Sequence, residues 1–287
     1  MALTYTIPLG NFDRQSASIL DLGDARILDS NDLPSELLQF VLASFETAKE
    51  VVDLNPPRFY LQMELSDTIL KNDETRRRPL DRTLTILKLF KDSQVKSNIV
   101  FVTSKNVTKY LFWRHYIHWA RIPPPKYLLK QEEEELLRSF WKEFGEINLS
   151  NFAVYRFHLS DIRPYLRDRF VDCVESLEYL LVPDSGEGEI RYKFSTRGAL
   201  TLATAEDRNS AFKDLRDSYD LRSAIVHGND REEARLLGTS QWEEKIDIVK
   251  RYDREAIKYF FRSGCLDDSE SRRELLLQKV LDVTGQT

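Results

Sequence analysis

The chain has 287 residues, of which 41% are hydrophobic and 31% charged, and its formal net charge is -5. This length accommodates two domains, and the acidic balance argues against a protein whose whole surface binds nucleic acid, although it allows a local basic patch. The two cysteines fit a reduced cytosolic compartment. No apolar run approaches the roughly 18 residues of a membrane helix, so we expect a soluble cytoplasmic protein with no membrane partner.

Residues 1–126 carry a mixed pattern that predicts an α+β domain. Short β-branched or aromatic runs between turn residues predict strands within ALTYTIPLG, ARILDS, RFYLQMEL and SNIVFVTS. Apolar residues at helical spacing predict two interrupting helices, over 30–52 and 80–91. The three prolines of 122–126 block helix on either side, so we place a domain boundary after residue 126.

Residues 127–287 carry a helical pattern with short connections, which predicts an all-α bundle. The predicted helices cover 127–147, 160–182, 194–205, 209–228, 242–264 and 268–283. The helix over 160–182 has the clearest apolar stripe, which comprises Leu166, Phe170, Cys173, Val174, Leu177 and Leu181. A Ser/Thr cap is expected at the start of the helix over 194–205.

The stretch DLRSAIVHG, residues 220–228, contains the main functional signal. On a helical wheel Arg222 falls inside an apolar arc, whereas Ser223 and His227 stack four residues apart at its edge, and Gly228 follows as a stop. A buried guanidinium needs a partner. One reading is a structural ion pair with Glu178, and the other is a cleft between subunits in which Arg222 binds a phosphate.

His227 adds an acid–base group to the anion-binding group. The dipole at the C-terminal end of the helix favours the imidazolium form. An acid–base group beside an anion-binding group is the minimum that phosphodiester cleavage requires.

The pair formed by Arg222 and His227, with four residues between them, resembles the signature of the HEPN superfamily. The neighbouring segments RFVDCVESLEYLLV, EIRYKFSTRGALTLA and YDLRSAIVHG are similar to those of the Apea-like HEPN group, so the resemblance covers about 150–265. It implies a HEPN-like helical bundle that dimerises around a composite cleft. It also implies a metal-independent ribonuclease without a cofactor, in which Arg222, His227 and the polar Ser223 are catalytic.

The N-terminal domain contributes weaker candidates for RNA binding. The segment 109–126 interleaves five aromatic residues with basic ones. This pattern is typical of a surface that binds single-stranded nucleic acid. If the segment is instead a strand, half of its aromatic rings could lie in a core. An arginine run in a predicted polar loop contacts either solvent or an RNA backbone. The candidate RNA-binding residues are Arg76, Arg77, Arg78, Lys109, Arg114 and Arg121. His115 and His118 lack further nearby ligands for zinc, so no metal site is expected, and His158 is expected in or near a core.

The leading hypothesis is a HEPN-type endoribonuclease that acts in defence, as a toxin or in abortive infection, under the control of a regulatory protein or phage-derived trigger. We expect a homodimer whose interface includes the helix 209–227, and a sensing or substrate-guiding N-terminal domain. The alternative is a non-catalytic dimeric HEPN module that binds RNA, a nucleotide or a protein partner through the same cleft.

Overall fold

The chain forms two compact units, Met1–Ile147 and Asn148–Thr287. The computed structural model describes residues 2–16, 18–48, 57–66, 73–92, 95, 97, 99–104, 107–112, 127–184, 188–238 and 241–284. The prediction of a mixed N-terminal region followed by a helical region is confirmed.

The N-terminal unit is built on an antiparallel sheet. Its strands are β1 (Ala2–Pro8), β3 (Leu20–Asp21), β4 (Ala25–Asp29), β5 (Phe59–Ser66), β6 (Ile99–Ser104) and β7 (Val107–Phe112), and a separate parallel pair joins β2 (Phe12–Arg14) to β8 (Tyr127–Leu129). The six strands follow the order β3-β4-β5-β1-β6-β7. Strand β1 is central because it pairs with both β5 and β6. Strands are present in each of the four runs where the sequence predicts them.

Helix α1 (Ser35–Ala48) covers part of one face of this sheet. It buries Leu37, Val41 and Phe45, which recur every four residues. They pack in one cluster with sheet residues that include Tyr60 and Phe101. Burying a side chain of this size stabilises the folded state by about 1.5–3 kcal/mol. The apolar side chains at helical spacing therefore hold α1 against the sheet.

Helix α2 (Asp73–Phe90) begins earlier than the sequence predicts. The arginine run 76–78, predicted in a polar loop, therefore lies inside the helix. Arg77 Nε lies 3.0 Å from Asp81 Oδ2, an ion pair across one helical turn. This pair supports the early turns, although Pro79 inside the helix removes one backbone donor.

The division between the units lies about 21 residues later than the predicted boundary after residue 126. The segment that follows the prolines does not start the helical unit, because residues 127–129 form strand β8 and helix α3 (Glu134–Phe144) belongs to the N-terminal unit. Arg14 Nε donates to Glu134 Oε1 at 2.7 Å, and Trp141 Nε1 donates to Asp24 Oδ1 at 2.7 Å. These two bonds hold α3 to the N-terminal unit.

The C-terminal unit is helical in its described residues. Its helices are α4 (Phe152–Ile162), α5 (Leu166–Leu181), α6 (Ile190–Leu202), α7 (Arg208–Val226), α8 (Asp230–Leu237), α9 (Trp242–Arg262) and α10 (Ser269–Thr284). Five of the six residues in the predicted α5 stripe are buried, and Leu166 is half-buried. The apolar period of α5 therefore marks the core of this unit.

Three local features differ from the sequence-based predictions. The helix predicted over 160–182 is interrupted because Arg163 precedes a proline and takes an extended conformation. Helix α6 begins four residues early, after Glu189 in the left-handed region with φ 67°, and Ser195 is an interior residue rather than a cap. Helix α8 was not predicted; Asn229 caps it by accepting from Glu232 N at 3.2 Å.

Within the part of the chain that the structure describes, no helix is both long and apolar enough to cross a membrane.

Candidate functional site

Helix α7 ends at the predicted glycine. His227 follows the last helical residue, and Gly228 takes a left-handed conformation with φ 66°. Gly228 N donates to Ile225 O at 3.1 Å, and Asn229 N donates to Ala224 O at 2.8 Å. This pair of hydrogen bonds is the Schellman motif, which satisfies the last carbonyl groups of the helix and fixes His227 at its end.

Arg222 faces helix α5 and is paired there with two carboxylates. Its Nη2 lies 3.6 Å from Glu175 Oε1 and 3.7 Å from Glu178 Oε2, and about a fifth of its side chain is exposed. Glu178 is the partner that the sequence suggests; Glu175, one turn away, was missed although its spacing of three residues places it on the same face. Both distances exceed those of a normal hydrogen bond, so the pairing is loose.

The same carboxylates belong to a chain of alternating charges across α4, α5 and α7. Arg163 Nε lies 2.8 Å from Asp172 Oδ2, and Arg156 Nη1 lies 2.6 Å from Asp172 Oδ1. Arg156 Nη2 lies 2.8 Å from Glu175 Oε2. The chain thus runs from Arg163 through Asp172, Arg156 and Glu175 to Arg222 and Glu178. It contains three cations and three carboxylates, so it has no net charge of its own.

A cleft of about 570 Å³ opens beside this charge chain. Helices α4, α5, α7 and α10 contribute to its walls, including Phe152, Arg156, Tyr179, Arg222 and Arg272. Arg272 is almost fully buried, donates to Leu266 O at 2.5 Å and lies 4.4 Å above the ring of Tyr179. No sequence pattern indicates Arg156 or Arg272, because their place in the cleft depends on how α4 and α10 pack on α5.

The protonation of Glu178 is coupled to Arg222. Burial raises the pKa of the Glu178 carboxyl above its ordinary range, the positive charge of Arg222 opposes this rise, and the negative charge of Glu175 adds to it. Arg222 therefore stabilises the ionised form of a carboxyl that burial and a like charge disfavour.

His227 and Ser223 face away from the cleft. His227 is exposed and Ser223 is half-buried. Four residues separate them, so they lie within about 40° of each other on α7, whereas Arg222 and His227 are about 140° apart. Of the three predicted catalytic residues, one subunit therefore brings together Ser223 and His227 but directs Arg222 elsewhere.

The apolar arc around Arg222 is mostly covered by the same chain. Ala211, Leu215 and Leu221 are buried within the unit, whereas Val226 is 52% exposed. The exposed apolar surface on this arc thus lies at the C-terminal end of α7, next to His227.

The other predicted RNA-binding residues belong to the N-terminal unit or lie outside the described residues. Arg77 is half-buried in α2, Arg78 is exposed there, and Lys109 is exposed on β7. Arg76 belongs to α2, but its side chain is outside the described part, as are Arg114 and Arg121. His115 and His118 are outside it as well, and His158 is buried in α4, as expected.

Among the residues that the structure describes, no group of three or more His, Cys, Asp and Glu side chains is placed to hold a metal ion. Cys173 and Cys265 are both buried free thiols. Comparisons with protein-family models, with curated proteins and with solved structures give no match. The HEPN resemblance therefore depends on the residues of the C-terminal unit alone.

Proposed function

We propose that the protein is a metal-independent endoribonuclease of the HEPN type, with a site that two subunits build together. The observation that carries this proposal is at the end of α7, where an exposed imidazole and a cleft-lining guanidinium lie five residues apart. Five residues correspond to about 7.5 Å along the helix axis but also to about 140° around it. One subunit cannot present both groups to one phosphate, whereas two α7 ends around a two-fold axis can combine the groups of both subunits.

The chemistry of this site is transesterification within the RNA. His227 removes the proton from a ribose 2′-hydroxyl, whose oxygen attacks the adjacent phosphorus. The bond from phosphorus to the 5′-oxygen breaks, and that oxygen takes up a proton. The products are a 2′,3′-cyclic phosphate and a 5′-hydroxyl. Arg222 stabilises the charge that builds on the non-bridging oxygens, and Ser223 lies on the same face as His227 to assist it.

The test is the incubation of the purified chain with RNA in the presence of a chelator. We expect cleavage that leaves cyclic phosphate ends, and no cleavage of a DNA strand of the same sequence, because DNA lacks the attacking hydroxyl. His227→Ala should slow the cleavage about 10²- to 10⁴-fold. Loss of activity in the chelator, or equal cleavage of DNA, would contradict the proposed chemistry.

A specific observation favours the second candidate, a non-catalytic dimeric module that binds RNA, a nucleotide or a protein partner. Arg222 already has two carboxylate partners in its own subunit. A phosphate that enters the cleft must compete with Glu175 and Glu178. If the chain binds RNA but cuts none under any of these conditions, this second function replaces the first.

We assign the N-terminal unit a sensing or substrate-guiding role. Support comes from a cavity of about 410 Å³ over the sheet, lined by Arg26, Gln62, Thr103 and Thr108 among others. Arg26 Nη2 donates to Gln62 Oε1 at 2.6 Å, and Gln62 Nε2 donates to Thr6 Oγ1 at 3.2 Å, so part of the floor is an ordered polar row. In this proposal the cell-level role is defence, with RNA as substrate and a regulatory protein or phage-derived trigger as the controlling partner.

A further inference from the structure

A row of half-buried side chains along α7 leads to the exposed His227. Taking Phe212 as zero on the helical wheel, Ser223 lies at about 20°, Arg216 at about 40° and His227 at about 60°. We call Phe212, Arg216, Ser223 and His227 the α7 row. It spans about 22 Å along the helix; Phe212, Arg216 and Ser223 are half-buried, and His227 is exposed.

The N-terminal half of the α7 row combines an aromatic platform with a guanidinium. The ring of Tyr192, 60% exposed on α6, lies 6.4 Å from the ring of Phe212 at 70°. The guanidinium carbon of Arg216 lies 5.9 Å from the centre of the Phe212 ring. An exposed tyrosine whose ring is supported by a second ring presents a flat apolar surface to solvent at little conformational cost.

The acidic residues near the row are paired with arginines. Asp220 Oδ2 lies 2.5 Å from Arg191 Nη2, and Asp217 Oδ1 lies 3.3 Å from Arg216 Nη2. The exposed Lys213 adds a further positive charge on this side of the helix. The local surface is therefore close to neutral with a small positive excess, although the whole chain is acidic.

We propose that Tyr192, Phe212 and Arg216 form a subsite that binds single-stranded RNA and directs the strand along the α7 row to His227. A base stacks on the exposed ring of Tyr192, which the edge-to-face contact with Phe212 supports, and a phosphate pairs with Arg216. A duplex cannot use this subsite, because its bases are stacked on each other. The inference rests on the proposed function and adds to it a binding subsite that lies outside the α7 ends.

The subsite remains accessible in the proposed dimer. The exposed Val226 marks the C-terminal end of α7 as the apolar contact surface for a second copy. Phe212 lies 14 residues before it, about 21 Å along the helix. Joining two subunits at the C-terminal ends of their α7 helices therefore leaves Tyr192, Phe212 and Arg216 outside the contact.

The test measures binding rather than cleavage, in the full chain carrying His227→Ala. The probe is a labelled oligouridine, alone and annealed to its complement. Adding Tyr192→Ala should weaken binding of the single strand about 5- to 150-fold, which is the usual loss for one stacked base. Phe212→Leu, which keeps an apolar side chain at a half-buried position, should also weaken it. Tyr155→Ala is the matched control, because Tyr155 is 51% exposed on α4 and lies outside the row.

The charge contribution has its own control. Arg216→Ala should reduce the slope of log affinity against log salt concentration by about 0.7, the value for one phosphate contact on a single strand. Arg273→Ala is the control and should leave the slope unchanged. The two arginines are matched, because Arg273 is 43% exposed and paired with Glu270 at 3.2 Å, and Arg216 is 40% exposed and paired with Asp217.

The outcomes separate the RNA-binding subsite from the proposed catalysis. No binding of the oligouridine, equal binding of the duplex, or wild-type affinity in Tyr192→Ala would overturn the subsite, whether or not the wild-type chain cuts RNA. Binding that depends on Tyr192 and Arg216 supports the subsite. If the wild-type chain then still cuts no RNA, the subsite stands and the proposed catalysis fails.

Discussion

Replacing Arg222 by alanine should destabilise the C-terminal unit, and the penalty should depend on pH. At the observed distances of 3.6 and 3.7 Å, each attraction to a glutamate is about 4.5 kcal/mol at an effective dielectric constant of about 20. Desolvation offsets much of this attraction. The loss is smaller still because Glu175 keeps its contact with Arg156 and because about a fifth of each glutamate side chain is exposed. We therefore expect a net loss of about 2 kcal/mol at neutral pH, below the 3–5 kcal/mol of a fully buried broken pair.

The sign of the pH dependence follows from Glu178. Its pKa in the folded protein is already raised, and losing the Arg222 charge raises it further. A carboxyl with a raised folded pKa favours the folded state below its unfolded pKa, and this contribution is lost as the pH rises through the folded pKa. The penalty of Arg222→Ala should thus be larger at pH 7.5 than at pH 5, because the carboxyl of Glu178, whose pKa is raised, is protonated to a greater extent at the lower pH.

The assay is urea unfolding followed by circular dichroism at both pH values. A loss of 2 kcal/mol corresponds to a melting temperature about 6 °C lower. Arg216→Ala is the control, because the exposed pair of Arg216 with Asp217 should contribute less than about 1 kcal/mol at either pH. An Arg222→Ala penalty no larger than that of the control, or one independent of pH, would refute the ion-pair argument.

Three further outcomes are expected. Gly198→Ala places a Cβ in steric overlap with Leu215 Cδ1 and 3.1 Å from Leu181 Cδ1, so it should cost about 1–3 kcal/mol in urea unfolding; an unchanged midpoint would mean that α6 and α7 pack less closely than observed. His227→Ala removes an exposed side chain and should change stability by no more than about 0.5 kcal/mol, and a larger loss in the same assay would assign His227 a structural role. Light scattering should show a dimer that Val226→Glu dissociates, since Val226 is exposed at the end of α7; a monomeric wild-type chain would remove the basis of a two-subunit site.

Periodicity predicted the helices whose apolar face is buried within the chain. In α5 the stripe from Phe170 to Leu181 is local in sequence, so its period alone identifies the buried face. The same holds for the end of α7, because Gly228 provides a left-handed residue at the position where a helix stop requires one.

Features that depend on distant partners were not predicted. Strand β8 forms because Tyr127–Leu129 pairs with Phe12–Arg14, more than 100 residues earlier, and a short apolar run by itself fits a helix equally well. Helix α8 has no buried residue, so it lacks an apolar signal, and it depends on the cap at Asn229.

In the candidate site, too, residues with a local sequence signal were predicted, and features that depend on distant partners were not. Arg222, Ser223 and His227 were found because they lie in one helix, and Glu178 because it borders the α5 stripe. Their orientations could not be read from the wheel alone, since the direction of Arg222 depends on where α5 packs. The grouping of Tyr192 with Phe212 and Arg216 was also missed, because Tyr192 reaches α7 from another helix.

The rate of RNA cleavage in chelator, compared between the wild-type chain and His227→Ala, tests the central claim most directly. The proposed role of His227 as the proton-transfer group predicts a rate about 10²- to 10⁴-fold lower in the variant, with its fold unchanged by circular dichroism. Equal rates in the two proteins, or no cleavage by the wild-type chain, would contradict a ribonuclease site at the end of α7.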